Sequence, residues 1–272
     1  MADQLPTVLA QPGVVLLAAA SADETQPLGD VNDAVLVDED AWADFSFVAD
    51  DLVDYAAWSA MIGALGISQS SRVIVYDDGE LKFAARIRFL LAHFGAVNAS
   101  LVNGGFAAMQ PLIAAGKLQL HSEPVVPTPV TFIARDTEQP IPMLFRDDVA
   151  AAALADPPTA TLIDVRTPGE FDGSVLIPPD TRGGHIPGAL NLPIEEFFVP
   201  HQPGELMSPA ELKKFFAAAG FHRKQKIIVY CQDGAKSSLA ALALLNAGFT
   251  NFALYYLSYR NWQEDPDLPV EK

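Results

Sequence analysis

The sequence predicts an α/β fold built as two tandem domains, each a mostly parallel sheet flanked by helices. Three observations carry that expectation. First, residues 72–95 (RVIVYDDGELKFAARIRFLLAHFG) and 226–248 (KIIVYCQDGAKSSLAALALLNAG) repeat one plan: a β-branched run, Tyr, an acidic-Gly turn, an Ala/Leu-rich segment and a terminal Gly. Second, the Val and Ile runs read as strands buried on both faces, which belongs to parallel sheets needing helices on either side. Third, residues 123–142, EPVVPTPVTFIARDTEQPIP, carry five prolines that favour extended chain and mark a linker. The resulting boundaries are residues 1–122, a linker at 123–142, and residues 143–272.

In chain order, residues 13–22 (GVVLLAAASA) read as a buried strand. A secretory leader is the weaker reading, because Asp3 precedes the run and no Lys or Arg does. Residues 30–38 (DVNDAVLVD) echo residues 185–193 (HIPGALNLP), one in each half. After Tyr76 and after Tyr230 the period changes toward 3.6, with Leu239, Leu242 and Leu245 expected on one helical face and Gly248 as a C-terminal cap. Further strands are expected at 99–102 and 252–256. In such a fold ligands gather at the carboxyl ends of the strands, where the turn after Tyr230 lies.

The chain has 272 residues, half of them apolar and 19% charged, with a formal net charge of −17. That field repels polyanions, so nucleic acid is not expected as a partner. No run approaches the roughly 20 apolar residues of a membrane span, so no membrane partner is expected. The single cysteine, Cys231, rules out an internal disulfide and suits a reducing cytoplasm, the expected location.

Cys231 follows a buried strand and precedes Gln232, Asp233, Gly234, Ala235, Lys236 and Ser237, where a helix begins. A thiol there meets the unpaired N–H groups and positive dipole end of the helix, which favour the thiolate, and Lys236 adds to the effect. Gly234 permits the positive φ of an amide nest for an anion or a persulfide sulfur, and Ser237 either donates to that anion or caps the helix. The plain alternative is a small buried hydrophobe. The strand-end position favours a nucleophile.

At this point the sequence resembles the rhodanese family, specifically its two-domain sulfurtransferases. CQDGAKS after IIVY is similar to the family's active-site loop of cysteine plus five residues. IDVRTPGEF (163–171) is similar to D-x-R-x-x-x-E-[FY], and GGHIPGALNLP (183–193) to G-H-I-x-G-A. With Asn261-Trp262 and the DPDLPVE tail, the likeness spans nearly all of the second half. The first half resembles the family's degenerate domain, with Asp77 or Asp78 in the cysteine's place.

The resemblance implies two rhodanese-like domains, the second catalytic. It implies a ping-pong reaction in which Cys231 takes a sulfane sulfur from a small anionic donor and passes it to cyanide or another thiophile, without metal or cofactor. Gln232 through Ser237 are then the substrate-binding loop. Four further residues are candidate supports. Asp164 and Arg166 are expected on opposite strand faces, unpaired, each anchoring a loop; His185 is a candidate base, with turn-locking the favoured reading; Arg182 either attracts the donor or is solvated at the surface. Gln232, Asp233, Ala235 and Lys236 depart from the C-G-[ST]-G-V-T of mercaptopyruvate-specific members, so thiosulfate is the expected donor ahead of 3-mercaptopyruvate. Glu170 stands where animal enzymes place a substrate-facing arginine, and Tyr256-Leu257-Ser258-Tyr259 departs from Y-x-G-S-W. Two competing readings are a rhodanese-like phosphatase, which lacks its phosphate-forking arginine here, and a non-enzymatic persulfide carrier serving a protein sulfur acceptor.

Overall fold

Continuous β-branched runs become the central strands of two parallel sheets in the computed structural model, which describes residues 4–21, 30–48, 50–121, 125–137, 139–202 and 204–272. The chain divides into one unit of Met1–Gln139 with His201–Glu205 and a second of Pro140–Pro200 with Leu206–Lys272.

The first unit holds strands β1 (Val14–Ala20), β2 (Asp30–Val31), β3 (Val35–Asp38), β4 (Arg72–Tyr76), β5 (Ala99–Leu101) and β6 (Leu120–His121). Its helices are α1 (Leu5–Leu9), α2 (Glu39–Phe47), α3 (Tyr55–Ala64), α4 (Lys82–His93) and α5 (Gly105–Ala114). Its main sheet runs β3-β1-β4-β5 with every pair parallel, and β2 pairs antiparallel with β6. The run at 13–22 is thus a strand; Ala22 and Asp3 lie outside the described residues, as do Glu123 and Pro124 at the start of the expected linker. The segment after them is extended, as its prolines dictate, and is fastened to the first unit: Val130 N–H donates to Gly63 O at 3.0 Å, and Ala134 N–H to Ser59 Oγ at 2.9 Å. A Cβ on Gly63 would stand 2.4 Å from the Val130 carbonyl oxygen, so only glycine lets the strap lie against α3.

The second unit holds β7 (Met143–Leu144), β8 (Thr161–Asp164), β9 (Leu190–Asn191), β10 (Ile227–Tyr230) and β11 (Phe252–Tyr255), with α6 (Arg146–Ala153), α7 (Pro168–Phe171), α8 (Pro209–Ala218), α9 (Ala235–Asn246) and α10 (Ser258–Gln263). The order is β7-β11-β10-β8-β9, again parallel throughout. β10 lies in the middle with all four side chains buried. Helix α9 departs from the expected Leu239/Leu242/Leu245 stripe. Leu242 and Leu245 are only half buried, whereas Ala240, Ala241, Ala243, Leu244, Ser237 and Ser238 are buried with Leu239. Small side chains let the helix backbone sit close among β10, β11 and α8, so more than one face is covered. Gly248, at φ +84°, caps it: its N–H reaches Leu245 O at 3.0 Å and Phe249 N–H reaches Leu244 O at 3.0 Å, the paired bonds of a Schellman turn. The strands expected at 99–102 and 252–256 each end one residue earlier. No helix among the described residues is long and apolar enough to cross a membrane.

In the first unit the residue directly after β4 is Asp77, not Asp78. Its side chain has no solvent exposure; Oδ1 accepts from Gly79 N–H (3.0 Å) and Leu81 N–H (3.1 Å), and Oδ2 from Ala84 N–H (3.1 Å). The carboxyl group therefore fills the N-terminus of α4 with a tethered anion. Burial, the largest influence, pushes its pKa up to about 6; the backbone donors oppose the rise and Asp78 adds to it. A carboxyl raised in the folded state adds stability that is complete below the unfolded value and lost as pH climbs through the folded one. We therefore expect the stability of wild type relative to Asp77→Asn to fall by about 3 kcal/mol between pH 3 and pH 7 and to stay level above, at about 1.4 kcal/mol per pKa unit. Urea unfolding across that range measures it, and a constant difference would contradict the assignment.

Candidate functional site

Cys231 leaves the end of β10 and four residues later α9 begins, too short a distance for the chain to turn without a left-handed residue. Gly234 supplies it at φ +98°, and a Cβ there would meet the Tyr256 carbonyl oxygen at 2.6 Å. The turn brings Gly234 N–H to 3.2 Å from Cys231 Sγ. Sγ also lies 3.8 Å from Ser258 Oγ, which accepts Cys231 N–H at 3.2 Å and donates to Tyr255 O at 2.9 Å. Tyr259 N–H and Arg260 N–H close on the carbonyls of Cys231 and Gln232, each at 3.0 Å. The first intrahelical bond is Ser238 N–H to Gly234 O, so helix geometry leaves the N–H groups of Lys236 and Ser237 without a carbonyl behind them. A thiol thus sits, 1% exposed, against the donor end of a helix.

Arg166 is the hub beside this loop, and here the structure corrects the expectation that it and Asp164 stand apart. Residues i and i+2 of a strand share a face. The guanidinium grips Asp164 through Nε (3.0 and 3.1 Å) and Nη2 (2.6 Å), both side chains buried. Nη2 also donates to Gly184 O at 2.7 Å, Nη1 to Gln232 Oε1 at 3.3 Å, and the guanidinium lies 4.0 Å over the Tyr259 ring. Burial opposes its charge and Asp164 offsets that, holding its pKa above the usual arginine range. One ion pair therefore joins the end of β8, the G-H-I turn and the cysteine loop.

The other expected residues fall as follows. Lys236 lies 3.2 Å from Glu195; burial lowers its pKa, but Glu195, Glu170 and Cys231 raise it further, so it stays charged. Asp233 Oδ1 accepts Ala235 N–H at 3.3 Å within the loop. Ser237 is not the cap: Gly234 holds that position, and Ser237 Oγ turns back to Gly234 O at 3.2 Å. Arg182 is not solvated; its guanidinium clamps the carbonyls of Gln263 (3.4 Å), Asp265 (2.7 Å) and Leu268 (2.5 Å) because the tail folds over it. His185 exchanges both backbone bonds with Glu271, holds Phe171 O with Nδ1 at 2.9 Å and stacks on the Phe171 ring at 3.7 Å.

Sequence reasoning missed Asp180, Ser258, Tyr259 and Arg260 as neighbours of the loop. Ser258 and Tyr259 were visible only as departures from a tail pattern, and no motif announces Asp180 or Arg260. Asp180 accepts a hydrogen bond from Gln232 Nε2 and lies 3.7 Å from Arg260 Nε.

Comparison with known proteins agrees with this architecture. Residues 147–265 match the rhodanese-like domain. The 3-mercaptopyruvate sulfurtransferase of Escherichia coli K12 is 34% identical over 211 residues, covering 76% of this chain and 70% of that protein. A Haloferax volcanii relative, provisionally named a thiosulfate sulfurtransferase, is 32% identical over 232 residues, 82% of this chain and 76% of its own. The crystal structure of SseA from Escherichia coli, described as a 3-mercaptopyruvate sulfotransferase, superposes with TM-score 0.76 at 28% identity, over 93% of this chain and 95% of that one.

Removing the guanidinium alone would strand a buried Asp164 carboxylate, a loss of the kind that costs about 3–5 kcal/mol. We expect Arg166→Met to destabilise the second unit by that amount in urea unfolding, and the charge-free pair Asp164→Asn/Arg166→Met to recover at least half of it. A single-variant loss below about 1 kcal/mol would show that the pair is not what holds these loops.

Proposed function

The chain belongs to the rhodanese family of tandem sulfurtransferases, and we propose that it transfers a sulfane sulfur through a persulfide on Cys231. The observation that carries the proposal is the position of its only cysteine, with Gly234 N–H 3.2 Å from Sγ at the opening of α9.

With thiosulfate, the Cys231 thiolate attacks the outer sulfur, the S–S bond of the donor breaks, and its electron pair leaves on sulfite. The product is Cys–S–S⁻. With 3-mercaptopyruvate the C–S bond breaks instead, pyruvate enolate leaves, and the thiol proton stays on the new persulfide. Cyanide then attacks the outer sulfur, giving thiocyanate and restoring the thiolate. The helix-opening N–H groups of Lys236 and Ser237 are the donors available to a negative outer sulfur, the role such groups play wherever charge develops.

We put thiosulfate ahead of 3-mercaptopyruvate because two positions suited by place to holding a donor carboxylate are otherwise engaged. Glu170 closes a capping box with Thr167, taking its N–H at 3.0 Å and Oγ1 at 2.6 Å, and Arg182 is spent on tail carbonyls. The 1% exposure of Cys231 favours a small acceptor such as cyanide over direct hand-off to a folded partner.

Two outcomes are expected. Cys231→Ser abolishes thiocyanate formation with the circular dichroism spectrum unchanged, since a hydroxyl forms no persulfide; turnover above about 1% of wild type would overturn the proposal. Lys236→Met lowers kcat/KM more for doubly charged thiosulfate than for singly charged 3-mercaptopyruvate, and the gap closes as salt shortens the screening length below about 8 Å. Equal losses at every ionic strength would assign Lys236 to loop shape alone.

A further inference from the structure

Asp180, in the loop between α7 and β9, is 6% exposed and belongs to none of the motifs. Its Oδ2 accepts from Gln232 Nε2, while Oδ1 is buried with no hydrogen-bond donor among the described residues and faces Arg260 Nε at 3.7 Å. Gln232 is held at its other end by Arg166 Nη1 at 3.3 Å and through its carbonyl by Arg260 N–H at 3.0 Å. The residue beside Cys231 is thus tied to β8, to the 180 loop and to α10, and one carboxylate links two of the three.

The same contacts set the charge around the loop. Arg166 is matched by Asp164, Lys236 by Glu195 and Arg260 by Asp180, while Asp233 lies within the loop itself. A donor entering here meets cations that already have carboxylate partners. Those carboxylates temper, without reversing, the advantage that Lys236 and the engaged carboxylate-binding positions give thiosulfate.

We infer that Asp180 is a positioning and specificity-determining residue: through Gln232 and Arg260 it orients the cysteine loop, and its charge restrains doubly anionic sulfur donors relative to singly anionic ones. The inference rests on the reading of Cys231 as the sulfur carrier. Asp180→Asn keeps an oxygen for Gln232 Nε2 and removes one negative charge.

The test is steady-state kinetics with thiosulfate and with 3-mercaptopyruvate, cyanide being the acceptor. Asp180→Asn is expected to lower KM for thiosulfate about three- to tenfold more than KM for 3-mercaptopyruvate, the size of one screened charge interaction. Asp180→Glu, which keeps the charge, retains the wild-type ratio of the two KM values even where kcat drops. Arg260→Gln shifts the ratio the other way, and in the Asp180→Asn background brings it back toward wild type. A purely structural role would depress both donors alike, with no return on removing Arg260. An unchanged ratio in Asp180→Asn overturns the inference; if that variant does not fold, an unchanged ratio in Arg260→Gln does so. Mass analysis of the wild type after donor treatment separates the two readings: sulfur on Cys231 with an unmoved ratio defeats only the inference about Asp180, whereas no sulfur on Cys231 defeats the underlying proposal.

Discussion

The structure turns on one interaction, that between the side chain ending a central parallel strand and the backbone N–H groups opening the next helix. A strand, a short turn and a helix necessarily place that side chain at the positive end of the dipole. What occupies the position decides what the unit does. In the first unit Asp77 puts a carboxyl group there and consumes the N–H groups of Gly79, Leu81 and Ala84. In the second, Cys231 puts a thiol there and, among the described residues, takes the N–H of Gly234 alone. One repeat satisfies its helix opening with its own carboxyl group, and the other sets a thiol there, the arrangement that the proposed sulfur transfer requires.

The turns also differ in length. The left-handed cap Leu81 lies four positions after Asp77, and Gly234 lies three positions after Cys231. The extra residue lets the Asp77 carboxyl group reach back to Ala84; the tighter turn holds the thiol against one amide. Around the tighter turn, Arg166 holds Asp164, the Gly184 carbonyl and Gln232 together, so the loop's shape depends on a buried charge pair as well as on its glycine.

Much of this was legible beforehand. The repeat, the buried Val/Ile runs, the cysteine at a strand end and the glycine at its turn all act over a few residues, where covalent geometry and periodicity dictate the outcome. Errors arose where tertiary contacts decide. Periodicity selected Leu242 and Leu245 on α9, but a helix lined with Ala and Ser is covered on several sides and leaves those leucines half buried. Asp164 and Arg166, expected on opposite faces, are alternate residues that share one and pair. Arg182 looked solvated because nothing local shows the tail folding over it, and Asp180 met Gln232 from 52 positions away. Contacts of that separation leave no trace in spacing.

The central claim is that one sulfur at a time resides on Cys231. The most direct measurement is to treat the protein with thiosulfate carrying a heavy isotope in its outer sulfur, digest it without reductant, and locate the label by mass spectrometry. The account predicts one labelled sulfur, on the peptide containing Cys231, removed completely by cyanide. Label on any other residue, or label that cyanide does not remove, would contradict it.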